Sequence, residues 1–186
     1  MDKESILKDT LAQIDAETIV PTTGAYIKTP TLDVLRDIHD FWGGGTKYDL
    51  FKSEDAKMID VIGEGRCQTC MIGGMLLSFM KVERDTAVGD FPDGSKSGFE
   101  LLEQHFSMDE LHLMELAFEN EDVSNYFIHD FSEEEDYDMF YDTMEDIEEF
   151  RVRAGKKERG TLTESIMRGI INNTLKHGEF KPHLDW

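Results

Sequence analysis

The segment SEEEDYDMFYDTMEDIEEF, residues 132–150, decides how the chain is read. Two patterns are superimposed in it. Tyr137, Phe140, Tyr141, Met144, Ile147 and Phe150 recur at intervals of three and four, the spacing of one face of an α-helix. Ser132 with Glu135 forms a capping box, in which the two side chains satisfy backbone N–H groups at the first turn. The spacing therefore predicts a helix over 133–150. Most of its other positions are acidic: Glu133, Glu134, Glu135, Asp136, Asp138, Asp142, Glu145, Asp146, Glu148 and Glu149. A helix of that length extends roughly 27 Å, so it carries one negative charge per about 2.7 Å. Duplex DNA carries one per about 1.7 Å, a density of the same order.

The charge around this helix is segregated. Residues 97–150 contain 19 acidic residues and no Lys or Arg. Residues 1–96 hold 17 acidic and 11 basic residues, and residues 151–186 hold 4 acidic and 8 basic ones. Nearly the whole net charge of −21 lies in one internal stretch, whereas a surface that serves only solubility intersperses both signs. The stretch is unlike a disordered acidic tail, because it is rich in Phe, Tyr, Leu and Met. It should fold with an apolar inner face and an acidic outer one. Like charges at i,i+4, such as Glu134–Asp138, Asp138–Asp142, Asp142–Asp146 and Glu145–Glu149, each cost a helix a few tenths of a kcal/mol. Glu148 and Glu149 also sit at the unfavourable end of a helix that stops at Phe150. A binding role would explain such a cost; a solvated face is the plain alternative.

The remaining periodicities are helical as well. Residues 4–18 place Ile6, Leu7, Leu11 and Ile14 on one side, and residues 31–42 do the same with Leu32, Leu35, Ile38 and Phe41. Ser53 caps a short helix ending near Ile62. The apolar run CMIGGMLLSFM predicts a central buried helix over 66–82. Capping boxes Ser107/Glu110 and Thr161/Glu164 open two further helices, and Gly178 ends the last. Residues 89–98 and 153–160 read as loops, the second of them basic. The expected fold is all-α, or mainly α with a minor strand pair near 121–131: a compact helical bundle over 1–186, with an acidic subregion at 97–150 and a basic loop plus C-terminal helix at 151–186.

So acidic a chain is a poor candidate for gripping nucleic acid or an anionic membrane directly. The start, MDKESILKDT, lacks an apolar signal core, and no window is long and apolar enough to span a bilayer, so a soluble cytoplasmic protein is expected. Cys67 and Cys70, at i,i+3 on the predicted helix, suggest two zinc ligands, but a site needs two more. His105 and His112 have nothing but availability to recommend them, and buried inert thiols are the simpler reading. DGSKSG at 93–98 imitates a calcium loop but has Gln104 where the bidentate Glu belongs. The glycines of FWGGGTK, residues 41–47, do not form a phosphate-binding loop. No nucleophile–base order emerges, and choosing two carboxylates among so many as acid and base would be arbitrary. No cofactor and no catalytic residue is expected.

The segments GEGRCQTCMIGGML and SIMRGIINNTLKHGEFKP resemble parts of small bacterial and bacteriophage proteins of unassigned function that carry a Cys-x-x-Gly-Ala/Gly helix. The resemblance implies a phage or mobile-element origin and no activity. By analogy, acidic proteins of such origin resemble nucleic acid and block host defence nucleases. The expected function is therefore an acidic helical binding protein. It would inhibit a basic host protein, a nuclease or another nucleic-acid-binding protein, by occupying its groove through the ten acidic residues of 133–150. The alternatives are a small metal-binding protein using Cys67 and Cys70, and a viral structural or assembly protein whose acidic and basic segments pair between copies as a homodimer.

Overall fold

The computed structural model describes residues 2–24, 27–28, 33–34, 66–82, 102–119 and 134–186. These form five helices and four short strands: α1 (Lys3–Asp15), β1 (Ile19–Pro21), β2 (Ile27–Lys28), β3 (Asp33–Val34), β4 (Cys67–Thr69), α2 (Met71–Val82), α3 (Met108–Glu119), α4 (Glu134–Lys157) and α5 (Leu162–His177). The protein is mainly α, as the periodicities predict. No helix among the described residues is long and apolar enough to cross a membrane. The chain divides into two compact units, Met1–Leu111 and His112–Trp186, and the division falls inside α3.

In the first unit, α1 starts where Asp2 accepts hydrogen bonds from the Ser5 backbone N–H at 2.8 Å and the Ser5 hydroxyl at 2.6 Å. These bonds, the hydroxyl's foremost, hold the Asp2 carboxyl below its ordinary value. The predicted apolar face is buried through Ile6, Leu7 and Ile14, with Thr10 and Gln13 beside them. The helix stops at Asp15, three residues earlier than expected. Glu17 takes a left-handed φ of 56°, and the Thr18 N–H returns to the Gln13 carbonyl at 3.0 Å. β-Branched Ile19 and Val20 then enter a strand.

The sheet has the order β1-β4-β2-β3. β1 runs parallel to β4 with Ile19 opposite Cys67, whereas β2 is antiparallel to β4 with Ile27 opposite Thr69. β3 pairs antiparallel with β2, Val34 opposite Ile27. Two expectations are corrected here. Residues 66–82 are not one helix, because Cys67–Thr69 form a strand and α2 begins at Met71. Asp33–Val34, inside the helix predicted for 31–42, are also strand. The helix after Ser53, the loop at 89–98 and the strand pair near 121–131 lie outside the described residues.

α2 is buried on nearly every side, through Met71, Ile72, Met75, Leu76, Leu77 and Ser78. It packs on α1 around a buried polar contact. The Thr10 hydroxyl meets the Ser78 hydroxyl at 2.9 Å, and the Gln13 amide donates to the same oxygen at 2.8 Å. Near the end of the unit the Ser107 hydroxyl accepts from the Glu110 N–H at 3.2 Å, the predicted cap of α3. Lys3 reaches across to Glu110 at 2.6 Å, and its ammonium lies 5.0 Å from the Phe106 ring centroid.

In the second unit, α4 and α5 form a helical hairpin. The turn carries Gly160 at φ 108°, and the Thr161 side chain caps α5 by accepting from the Glu164 N–H at 3.3 Å. Gly178, at φ 81°, ends α5 in a left-handed cap, with its N–H on the Thr174 carbonyl at 2.8 Å. Ile147, Phe150 and Ala154 of α4 and Ile166, Met167, Ile170 and Ile171 of α5 are buried. Gly169 lets the two helices come close: a Cβ there would lie 2.9 Å from the Ala154 Cβ.

The C-terminal tail folds back over this hairpin. Buried Asn173 donates to the carbonyls of Lys181 and Leu184, both at 2.9 Å, and accepts from the Lys181 N–H at 2.8 Å. Trp186 places its ring centroid 4.9 Å from that of Phe150 and donates its indole N–H to Glu158 at 2.8 Å.

Candidate acidic interface on α4

α4 is longer than the sequence suggests. It has 24 residues and does not end at Phe150, so Arg151, Arg153, Lys156 and Lys157 belong to its last two turns instead of to a basic loop. This corrects the cost assigned to the acidic run. Glu148 and Glu149 are internal, and Lys156 and Lys157 occupy the end where cations favour a helix. Glu149 has Arg153 one turn later, with the nearest nitrogen and oxygen 3.9 Å apart.

Glu133 lies outside the described residues. Glu134, Glu135, Asp136 and Asp138 lie within the N-terminal half of α4. Asp142, Glu145, Glu148 and Glu149 are exposed, and Asp146 is partly so. Their separation from the core follows from the 3.6-residue turn. Ile147, Phe150 and Ala154 face inward, and the five acidic positions fall on the rest of the circumference. These five carboxylates span seven residue steps, roughly 10 Å, so neighbouring charges are about 2–3 Å apart along the axis. Asp146 has the His183 ring 3.9 Å away. Among the described residues no ion pair engages Asp142, Glu145 or Glu148.

Three of the four cations that follow are turned to the chain's own backbone and tail. The Arg151 guanidinium bonds to the Ala117 carbonyl and, at 3.0 Å, to the Phe118 carbonyl, and so satisfies acceptors at the C-terminal end of α3. Arg153 donates to the Pro182 carbonyl. Lys157 pairs with Asp185 at 2.8 Å and lies 4.8 Å from the Trp186 ring centroid. These anchor the tail. The sequence places them in or beside a basic loop, because docking of a tail some 30 residues away has no local signal.

The cysteines are placed differently from the expectation of a shared helix face. Cys67 lies in β4, and Cys70 precedes α2. Both are buried thiols. The Cys70 sulfur accepts from the Gly73 N–H at 3.4 Å, the position and role of a helix N-cap. Burial pushes the Cys67 thiol above its ordinary pKa, which favours the unreactive protonated form. His105 lies against Phe79, with ring centroids 5.7 Å apart.

No protein-family model, curated protein or solved structure matches the chain.

Proposed function

We propose that this chain is an acidic helical binding protein that occupies the basic groove of a nucleic-acid-binding protein, such as a host defence nuclease, and that it derives from a phage or mobile element. One observation carries the reading. Asp142, Glu145, Glu148 and Glu149 stand exposed on a helix whose inner side is fixed by Ile147, Phe150 and Ala154. No Lys or Arg occurs between residues 97 and 150 to interrupt them. Their axial spacing, roughly 3.5 Å, is of the same order as the about 1.7 Å of duplex phosphates, and a packed helix presents them without the ordering cost a flexible acidic tail would meet on binding. Electrostatic attraction of this kind speeds encounter with a positive cleft and weakens as salt rises.

The test is capture of basic proteins from a host lysate by the immobilised chain across a salt series. The wild type is compared with a variant carrying Asp138→Lys, Asp142→Lys, Glu145→Lys and Glu149→Lys. The reading expects a nucleic-acid-binding protein to be retained at low salt, lost at high salt, released by competing duplex DNA, and not retained by the variant. Retention by the folded variant equal to that by the wild type would end it.

A further inference from the structure

The outward face of α4 changes sign along its length, and an apolar residue, Val152, marks the change. Among the described residues the exposed large hydrophobic side chains are Val152, 55% exposed, and Leu162, 62% exposed. They are neighbours. Gly155 follows Val152 by one turn, and a Cβ on Gly155 would lie 3.1 Å from the Leu162 Cδ1. At about 100° per residue, Glu145, Glu148, Val152, Gly155 and Lys156 fall within a stripe roughly 100° wide. Lys156 is exposed on this stripe, whereas Arg151, Arg153 and Lys157 bond elsewhere in the chain.

We infer that α4 is an interface between two copies of this chain, packed antiparallel about a two-fold axis through Val152. The arrangement follows from the order of charges. A two-fold at residue 152 sets position 152 + n against 152 − n of the second copy. Glu148 then faces Lys156 of the second copy, and Lys156 faces its Glu148. Val152 meets its own equivalent at the centre. Gly155, without a side chain of its own, leaves room there for Leu162 to be covered. A parallel pairing would instead set Glu148 against Glu148 and Lys156 against Lys156. A surface with negative charge on one side of an apolar centre and positive charge on the other is complementary to itself, which is what an isologous contact requires. A wholly basic partner would find Lys156 repulsive at the same place, so the second copy is the better occupant of this stripe. The pairing needs no foreign partner and is independent of the groove-binding reading. Where both hold, Glu145 and Glu148 are shared, and a basic partner competes with the second copy.

Sedimentation of the purified full chain decides it, since mass alone is read and no other protein is needed. The wild type should dimerise at about 50 mM salt and dissociate as the screening length falls below roughly 5 Å at higher salt. Because the two-fold places each residue in the contact twice, Glu148→Lys or Lys156→Glu alone turns two attractions into two repulsions. Either should weaken dimerisation by about tenfold or more. The combined Glu148→Lys/Lys156→Glu variant restores opposite signs and should recover wild-type association. A wild-type chain that is monomeric at low salt overturns the proposal. So does a dimer indifferent to the single reversals, or a double variant no better than either single one. Both substitutions lie on exposed positions, so circular dichroism should show unchanged helix content in all three variants.

Discussion

Substituting Gly169 with alanine sets two effects of opposite sign against each other. Gly169 lies inside α5, where alanine is intrinsically favoured by about 1 kcal/mol. The new methyl group would lie 2.9 Å from the Ala154 Cβ, 3.1 Å from the Trp186 ring and 3.2 Å from the Phe150 ring. The first neighbour decides the outcome, because a Cβ is fixed to the backbone and cannot rotate away. α4 and α5 must separate by several tenths of an ångström, which loosens contacts around Ile147, Phe150 and Ile166. Overpacking of this kind costs about 1–3 kcal/mol. The expected net loss is about 0–2 kcal/mol, measured as a fall in the urea midpoint followed by helix signal and tryptophan fluorescence. Ala154→Gly removes the obstructing methyl at its own cost in helix propensity. Combined with Gly169→Ala it should therefore lose less than the two single losses added, with a coupling of about 1–2 kcal/mol. Strictly additive losses, or a Gly169→Ala protein more stable than the wild type, would refute the close crossing of the two helices.

Asn173→Ala deletes three hydrogen bonds to the tail and should cost about 2–4 kcal/mol, with Trp186 emission shifting to the red as the indole leaves Phe150. Thr161→Ala removes the cap of α5 and should cost about 0.5–2 kcal/mol in the same denaturation assay. Cys67 should react with a thiol reagent far more slowly in native protein than in denaturant, since burial raises its pKa; equal rates would disprove its burial. The hydrogen bond from Lys157 holds the Asp185 carboxyl below its ordinary value near 3.8. A lowered carboxylate contributes stability that is present above its unfolded pKa and lost as pH falls through its folded pKa. Tail anchoring should therefore weaken only below about pH 4, and Asp185→Asn should remove that acid-dependent step.

What could be read in the sequence and what could not divide along a physical line. The caps of α3 and α5 were legible because Ser107, Thr161 and Gly178 act on backbone groups within a few residues. The inward positions Ile6, Leu7, Ile14, Ile147 and Phe150 are legible from spacing alone, and all are buried. The end of α4 was misread, because a change in charge sign and Gly155 resemble a break. Ala154 continues the buried stripe across that point, and basic side chains suit a helix C-terminus. β3 and β4 were missed because strands of two or three residues are specified by distant partners: Val34 by Ile27, Cys67 by Ile19. The acidic positions of the candidate interface were visible residue by residue. The mixed-sign stripe through Val152 was not, since it depends on knowing that the helix runs on and that three of its cations are bonded elsewhere.

The succession of charge along α4 has a mechanical consequence. Carboxylates crowd one end of a rigid rod and ammonium and guanidinium groups the other, which makes this unit a permanent electric dipole as well as a net anion. Any body with a strong field exerts a torque on it as well as a pull. Near a positive surface the rod swings until its glutamate-rich end leads, so the angle of approach is selected while the two surfaces are still separated by solvent.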